Sequence, residues 1–386
     1  MTTSTRPIYL DYNATTPVDP RVLDQMLPWF TEQFGNAASR THLYGWEAEE
    51  AVAKARRQVA GILGASEKEI AFTSGATEAN NLAIKGAYEA NRHRGSHFVT
   101  VATEHKAVLD TFKHLEGWGA EVTYLVPAAD GLVSIEQVAE ALRPDTVLVS
   151  VMYANNEIGV IQPVAEIGKL CRERGVLFHT DATQAVGKVP VDVDKDYIDL
   201  LSLSAHKLYG PKGAGALYVR KGIKLTAQQD GGRHERGLRS GTLNVPGIVG
   251  LGKACEVAGA EMALEAKRLA QLRDKLENEI VSTINNTQVN GNREHRLPQV
   301  TNISIGDVDG EQLLMNLNRI AVSSGSACTS ASVEPSYVLK ALGVPDDLAY
   351  ASIRFSLGRF STETDIATAV AHVQEVVTRM VENHTS

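Results

Sequence analysis

The sequence contains few cysteines, with only Cys171, Cys255 and Cys328 in 386 residues. The three thiols lie far apart, so the chain has neither the close cysteine pairs typical of a metal site nor an even-numbered framework for disulfides. Scattered, unpaired cysteines are typical of proteins in a reducing compartment. We therefore expect no metal site, no disulfides and a cytoplasmic location.

The sequence also lacks an excess of positive charge and any long apolar run. Its formal net charge of −8 argues against a general nucleic-acid binder. No apolar run approaches the roughly 20 residues of a membrane span, and the N-terminal stretch MTTSTRPIYLDYN does not resemble a signal peptide. The phosphate-binding P-loop signature is absent, so a nucleoside triphosphate is not favoured. Small molecules are the expected ligands, with neither nucleic acid nor membrane as a partner.

Apolar, β-branched runs alternate with helical patterns along the chain, as in EIAFTS, TEANNLAIKGAYEAN, HFVTVATE and HKAVLDTFKHLEG. This alternation predicts an α/β fold with a mainly parallel sheet covered by helices on both faces, and functional residues at strand ends. A chain of this length favours a large and a small domain. The segment from Pro246 to about Asn286 is predicted as one long helix that links them, and TNISI and SIRFSLG fall in the second unit.

The segment SSGSACTSAS, residues 323–332, places Cys328 among small and hydroxylated residues. A structural cysteine normally packs among large apolar neighbours, which this run lacks. Cys171 and Cys255, by contrast, lie in the helix-like stretches EIGKLCRERG and LGKACEVAG. On the residues alone, Cys328 is either a nucleophilic thiol or an incidental loop cysteine.

A lysine and a carboxylate follow two of the apolar strands. Lys207 lies in SAHKLYGPKGAGALYV, and Asp181 ends the run VLFHTD. Alone, Lys207 would be interpreted as a solvated surface lysine, but a carboxylate at a buried strand end needs a cation nearby. A lysine that binds the aldehyde and a carboxylate that keeps the pyridine nitrogen protonated are the groups that pyridoxal 5′-phosphate (PLP) requires.

The phosphate of such a cofactor needs hydrogen-bond donors, and FTSGATEANN offers them where a strand leads into a helix at about Thr77. Helix N-termini bind anions through their free N–H groups and the helix dipole. The alternative is an ordinary helix start with Thr77 as N-cap, and the two interpretations are compatible.

These blocks, together with others in the same order from about Tyr9 to Phe360, closely resemble the cysteine desulfurases of the NifS and IscS type. The further blocks are YLDYNATTPVDPR, YANNEIGVIQP, HERGLRSGT, SSGSACTSASVEPSYVLKALG and SIRFSLGRF. The resemblance implies the PLP-dependent transferase fold type I. It also implies a large cofactor-binding domain of residues 16–260, with residues 1–15 and 261–386 forming a smaller α/β domain that carries the Cys328 loop.

The resemblance implies a role for each site residue. Lys207 binds the cofactor covalently, Asp181 contacts the pyridine nitrogen, and Gln184 donates to the phenolic oxygen. His105 stacks on the ring and takes part in proton transfer, and Cys328 is the catalytic cysteine. The phosphate contacts are Ala76, Thr77, Ser204, His206 and, from the partner subunit of a homodimer, Thr242. Asn156 and Arg354 hold the substrate amino acid, and Asn156 also borders the cofactor.

The implied reaction converts L-cysteine to L-alanine and leaves the sulfur on Cys328 as a persulfide. An acceptor such as an iron–sulfur cluster scaffold then takes the sulfur for cluster assembly and other thio-cofactors, and Cys328 can transiently ligate a cluster on that scaffold. The alternatives are a transaminase of the same fold, a selenocysteine lyase, and a non-enzymatic sulfur or cluster carrier. The transaminase would have no use for Cys328, and the carrier would leave the cofactor residues idle.

Two positions and the length of the C-terminal tail depart from the family pattern. Arg233 stands at the third position of DGGRHERG where the family has glycine, which predicts a less free backbone there, and Ala37 in GNAAS replaces a proline. Only 26 residues follow Phe360, fewer than in housekeeping members. This tail predicts weaker docking to a cluster scaffold, with turnover of free cysteine intact.

Overall fold

The computed structural model describes residues 6–324 and 335–385 of the chain. The strands are β1 Ile8–Tyr9, β2 Ile70–Thr73, β3 His97–Val101, β4 Glu121–Leu125, β5 Thr146–Ser150, β6 Leu177–Asp181, β7 Leu200–Ser204, β8 Gly215–Val219, β9 Thr287–Val289, β10 Val300–Ile305, β11 Ile320–Ala321 and β12 Ser352–Ser356. The helices are α1 Pro20–Met26, α2 Pro28–Thr31, α3 Leu43–Leu63, α4 Ala76–Asn91, α5 Lys106–Glu116, α6 Ile135–Ala141, α7 Val164–Arg174, α8 Val245–Thr283, α9 Gly310–Asn316, α10 Tyr337–Ala341, α11 Asp346–Tyr350 and α12 Glu363–Thr385.

A seven-stranded sheet with the order β2-β8-β7-β6-β5-β3-β4 forms the centre of the fold. Strand β8 runs antiparallel to both of its neighbours, and the other pairs are parallel. The carboxyl ends of β2, β3, β5, β6 and β7 therefore lie at one edge of the sheet. The predicted α/β fold with a mainly parallel sheet is confirmed.

Helices cover both faces of this sheet because successive residues of each strand point to opposite sides. In β6, Leu177 packs with α4 and α5, whereas its neighbour Phe178 packs on the other face with α3, α7 and the first half of α8. The central strands β6 and β7 are buried along their whole length, as expected for a sheet covered on both faces, whereas the edge strand β4 is partly exposed. Each fully buried large aliphatic or aromatic side chain contributes roughly 1.5–3 kcal/mol of transfer free energy.

A second apolar cluster forms around the antiparallel sheet β12-β10-β9 and the parallel pair β1-β11. It includes Leu269, Leu276 and Ile280 from the second half of α8, together with apolar side chains of α12. The long helix predicted from Pro246 to about Asn286 is thus present as α8 and contributes to both clusters. The domain boundaries at residues 15 and 260 stay a prediction.

Among the helices of the described residues, none combines the length and the apolar character required to cross a lipid bilayer.

Candidate active site

A cavity of about 650 Å³ lies at the sheet edge where the carboxyl ends of the parallel strands meet. Most of the predicted site residues border this cavity: Ala76, Thr77, His105, Asn156, Asp181, Gln184, Ser204, His206, Lys207 and Arg354. Thr242 is exposed and does not border it. Cys328 lies outside the described residues. The fold therefore brings together groups that are up to 278 positions apart in sequence, between Ala76 and Arg354.

Lys207 ends a single 3₁₀ turn, Ala205–Lys207, that directly follows β7. Its ammonium donates hydrogen bonds to the backbone carbonyls of Asn13 and Ala14, each at 2.6 Å. These carbonyls belong to the segment between β1 and α1. The N-terminal segment thus holds the lysine nitrogen at the wall of the cavity.

Asp181 is the last residue of β6 and is 6% exposed. Its Oδ2 accepts a hydrogen bond from Asn80 Nδ2 at 2.7 Å, and its Oδ1 accepts one from the backbone N–H of Thr183 at 3.0 Å. Asn80 lies on α4, about one turn after Thr77. These donors fix the orientation of the carboxylate at the cavity wall.

The N-terminus of α4 faces the same cavity without a side-chain cap. The alternative interpretation, an ordinary helix start with Thr77 as N-cap, is wrong, because the helix begins at Ala76 and Gly75 occupies the N-cap position. Gly75 has a φ of 157°, which residues with a Cβ rarely adopt, and a Cβ on the neighbouring Gly215 would lie 2.6 Å from the Gly75 Cα. Glycine is therefore needed at both positions, and the first N–H groups of α4 can serve an anion.

Ser204 and His206 border the cavity beside this helix terminus. Burial, followed by the neighbouring charge of Lys207, lowers the pKa of His206 to about 4. Its Nδ1 lies 3.1 Å from the hydroxyl oxygen of Thr15. His206 is therefore a neutral imidazole at physiological pH, able to donate a hydrogen bond to an anion without carrying charge.

His105 is the N-cap of α5, and its Nδ1 accepts a hydrogen bond from the backbone N–H of Ala107 at 3.1 Å. Because that N–H can only donate, the neutral ring carries its proton on Nε2. Burial is the main cause that lowers the pKa of His105, and Asp181 acts in the opposite direction. The neutral form with a proton on Nε2 therefore dominates at neutral pH.

Arg354, in β12, brings a guanidinium to the cavity from the second unit. Its two Nη atoms donate to the Asn156 carbonyl at 3.0 Å and to the Asp11 carboxylate at 2.6 Å. Its buried Nε has no hydrogen-bond partner within the part of the chain that the structure describes, and the same is true of Asn156 Oδ1. Both atoms are available to a polar ligand.

The cavity fits PLP together with an amino acid. Besides Arg354 and Asn156, the buried Oδ1 of Asn80 and the hydroxyl of Thr183 lack partners among the described residues. Four unpaired buried polar groups around one cavity are costly unless a polar ligand satisfies them. A lysine amine, a buried carboxylate and an uncapped helix N-terminus match the aldehyde, the pyridine nitrogen and the phosphate of PLP.

Several residues of this site were missed by sequence reasoning. Asn80 orients Asp181, Asn13 accepts from Lys207, and Asp11 pairs with Arg354. Asp11 and Asn13 lie in YLDYNATTP. The signal available in the sequence was one acidic and one amide residue just after a short apolar run. Their partners lie more than 190 residues away in sequence, and no local pattern specifies such pairs.

The comparisons with known proteins agree with this arrangement. The model of the aminotransferase class-V family matches residues 8–368. A cysteine desulfurase IscS of Anaeromyxobacter dehalogenans is 58% identical over 97% of this chain and 94% of its own length. The cysteine desulfurase IscS of Proteus mirabilis is 56% identical over 97% of this chain and 93% of its own length.

Two solved structures extend the likeness to the fold. A NifS-like protein superposes with a TM-score of 0.91 at 38% identity, covering 97% of this chain and all of that one. SspA in complex with cysteine superposes with a TM-score of 0.82 at 39% identity, covering 92% of this chain and 100% of its own. The match to the family model spans nearly the whole chain, and the chain therefore belongs to the class-V aminotransferase family.

Proposed function

We propose that the protein is a PLP-dependent cysteine desulfurase that converts L-cysteine to L-alanine and supplies sulfur for iron–sulfur cluster assembly. The observation that carries this function is one cavity bordered by Lys207, Asp181, the uncapped N-terminus of α4 and Arg354. The kinship with cysteine desulfurases supports it independently.

The position of each side chain at the cavity supports its proposed role toward the cofactor. Lys207 would bind the aldehyde, and Asp181, oriented by Asn80, would pair with the pyridine nitrogen. Ala76 and Thr77 at the start of α4, with Ser204 and His206, would hold the phosphate. When bound, PLP supplies an electron sink for negative charge that develops on the substrate carbons.

Substrate binding is assigned to Arg354 and Asn156. The Asp11 carboxylate and the Asn156 carbonyl hold the guanidinium in place, which leaves Arg354 Nε to donate to a substrate carboxylate. Hydrogen bonds between two charged groups are about twice as strong as neutral ones. This preorganised grip orients the amino acid toward Lys207 and His105.

Sulfur transfer is assigned to Cys328. Its thiolate attacks the substrate sulfur, so that an S–S bond forms while the Cβ–S bond breaks, and the electron pair left on carbon takes up a proton to give L-alanine. Cys171 and Cys255 are not alternatives, because both are buried and burial raises the pKa of each thiol to about 12. The persulfide then passes to an acceptor thiol on a partner protein.

Proton transfer is assigned to His105. The neutral ring holds its proton on Nε2, away from α5, and the ring borders the cavity. A positioned acid of this kind contributes about 10²- to 10⁴-fold to the rate of a proton-transfer step. His105 can deliver its proton to a reacting atom and recover one from the substrate.

The assembly and the partners are part of the same proposal. We place the enzyme in the cytoplasm as a homodimer, with Thr242 of each subunit completing the phosphate site of the other. The sulfur acceptors include an iron–sulfur cluster scaffold, on which Cys328 can transiently ligate a cluster.

Incubation of the purified, PLP-loaded protein with L-cysteine and a thiol reductant tests the function. We expect alanine and sulfide in equal amounts. Amino-group transfer to a keto acid without sulfide release would instead identify a transaminase, and a much faster reaction with selenocysteine a selenocysteine lyase. Absence of all three reactions would contradict the proposal.

A further inference from the structure

A lysine outside the assigned site fixes the orientation of the Gln184 amide. The ammonium of Lys188 donates to Gln184 Oε1 at 2.7 Å, and Gln184 Nε2 donates to the Asn13 carbonyl at 2.9 Å. An ammonium can only donate and a carbonyl can only accept. The reversed amide would place donor against donor and acceptor against acceptor, so the two neighbours permit a single orientation.

This orientation presents an N–H group to the cavity. The amide nitrogen carries two hydrogens, of which one serves Asn13, and Gln184 borders the cavity. The Asn13 carbonyl also accepts from Lys207 at 2.6 Å. A continuous set of hydrogen bonds therefore connects Lys188 through Gln184 and Asn13 to the cofactor lysine.

The charges around Lys188 make a purely stabilising role a poor explanation. Burial, then the neighbouring Lys207, lowers the pKa of Lys188 to about 7, and Arg354 acts in the same direction. His206 is a further basic neighbour, and within residues 6–324 and 335–385 the one opposite charge that raises the pKa of Lys188 is that of Glu265. Glu265 is already paired with Arg359 at 2.8 Å.

Two phenols border the same small cavity as Lys188, those of Tyr12 and Tyr209. Burial raises the pKa of both, so they are neutral and add no negative charge. A lysine placed among positive groups lowers the stability of the folded protein. Its contacts instead indicate a role in orienting Gln184 and in setting the local charge.

We propose that Lys188 is a positioning residue for the cofactor, which holds the Gln184 N–H toward the cofactor's phenolic oxygen and places a positive charge near the Lys207 linkage. The inference rests on the proposed function, in which PLP binds at Lys207. The negative charges of the bound cofactor favour the protonated form of Lys188.

Lys188→Met tests the charge, because methionine keeps most of the apolar stem and removes the ammonium. The readout is the pH midpoint of the visible absorbance change of the PLP-loaded protein. Loss of a nearby positive charge favours protonation of the chromophore, so we expect the midpoint to rise by roughly 0.5–1 pH unit, at or below the effect of a directly contacting charge. Lys188→Arg keeps the charge and should restore the wild-type midpoint.

Lys195→Met is the matched control, because Lys195 is exposed and pairs with Asp192 away from the cavity. It should leave the midpoint unchanged. If Lys188→Met fails to fold, as judged by circular dichroism, Lys188→Gln carries the same test with a neutral polar side chain.

A double-mutant cycle tests the route through Gln184. The dissociation constant of PLP is measured for Lys188→Met, Gln184→Ala and the double variant. If Lys188 acts in part through Gln184, the loss of PLP affinity in the double variant should be smaller than the product of the two single losses, whereas fully independent effects would multiply.

Failure of the proposed function and failure of the inference about Lys188 give different results. A wild-type protein that develops no visible band with PLP would contradict the proposed function. A normal wild-type band combined with an unchanged midpoint and PLP affinity in Lys188→Met would overturn the inference about Lys188 alone.

Discussion

At the scale of single residues, Arg354 shows how a charged side chain is prepared for a ligand. Asp11 and the Asn156 carbonyl accept hydrogen bonds from its two Nη groups, and the residue is only 5% exposed. The guanidinium therefore keeps a fixed plane before any substrate arrives, which lowers the entropic cost of binding.

Arg354→Lys is expected to raise the KM for L-cysteine about 10- to 100-fold, with a smaller effect on kcat. An ammonium keeps the charge but lacks the planar set of donors that contacts Asp11, Asn156 and a substrate carboxylate at once. Loss of one hydrogen bond to a charged group costs about 1.5–3 kcal/mol. Steady-state kinetics of alanine formation measures both constants. Arg359→Lys is the control, since Arg359 pairs with Asp19 and Glu265 and does not border the cavity. Equal effects of the two changes on KM would contradict the role of Arg354.

Some residues of the site can be predicted from the sequence, and others cannot. Lys207 and Asp181 could be proposed from the sequence because Asp181 ends one buried strand and Lys207 lies in the turn after another, where an unpaired charged group would be costly. Asn80 could not, because its contact with Asp181 spans 101 residues and depends on how α4 lies on the sheet. The alternative of Thr77 as N-cap rests on residue type alone, whereas backbone conformation and the close approach of Gly215 place Gly75 at that position.

At the scale of elements, the segment around the 3₁₀ turn Glu235–Gly237 has an unusual backbone. Arg233, Glu235 and Arg236 have φ values of 57°, 47° and 57°, in the left-handed region that favours glycine. Arg233 stands where the family pattern has glycine. The sequence predicts a less free backbone at this position, and the structure shows a left-handed conformation at Arg233. A residue with a Cβ adopts this conformation at a cost of about 1 kcal/mol.

Arg233→Gly is accordingly expected to raise the thermal unfolding midpoint of the cofactor-free protein by roughly 1–2 °C, because relief of the strain exceeds the added entropy of the unfolded chain. Arg233→Ala is the matched control, since alanine removes the charge but retains the Cβ. Differential scanning calorimetry measures both variants. If alanine stabilises the protein as much as glycine does, the backbone conformation is not the cause.

The strands of the central sheet could be predicted because they are short, mainly apolar runs, and all of them except β4 are buried along their whole length. The direction of β8 could not be predicted, because its antiparallel pairing with β2 and β7 is decided by the chain connections rather than by its own residues. Helix α3 was not predicted, although Ala48, Val52, Ala55 and Val59 recur at helical spacing along its buried face. That spacing is the signal in the sequence that indicates helix α3.

At the scale of the whole molecule, two features of the surface support the proposed homodimer. Thr242 is exposed, although the family pattern assigns it to a phosphate site. Large apolar side chains are also exposed along and between α1, α2 and α3, including Leu27, Phe30, Phe34 and Trp46 at 52–65%. Apolar surface of this kind often marks a protein–protein interface.

A heterodimer test follows from this shared site. Lys207→Ala inactivates the cavity of its own subunit, and Thr242→Glu places a carboxylate against the phosphate in the partner's cavity. Each variant alone should be inactive. A heterodimer of the two, purified through two different affinity tags, contains one intact site and should recover about half of the wild-type activity per dimer. No recovery, or full activity of monomeric wild-type protein, would contradict the shared site.

The central claim is that Cys328 accepts sulfur from a cysteine held at the PLP site, and alanine formed per active site in Cys328→Ser tests it most directly. The variant should keep its visible PLP band, because Lys207, Asp181 and His105 are unchanged. It should form almost no alanine, since a hydroxyl cannot form a persulfide, and the loss should exceed the 10²- to 10⁴-fold, roughly, that a single acid or base contributes. Cys171→Ala and Cys255→Ala, which remove the two buried thiols, should retain turnover, and mass spectrometry of the wild type should find the added sulfur on Cys328. Near-normal alanine formation by Cys328→Ser, or a sulfur adduct only on Cys171 or Cys255, would contradict the account.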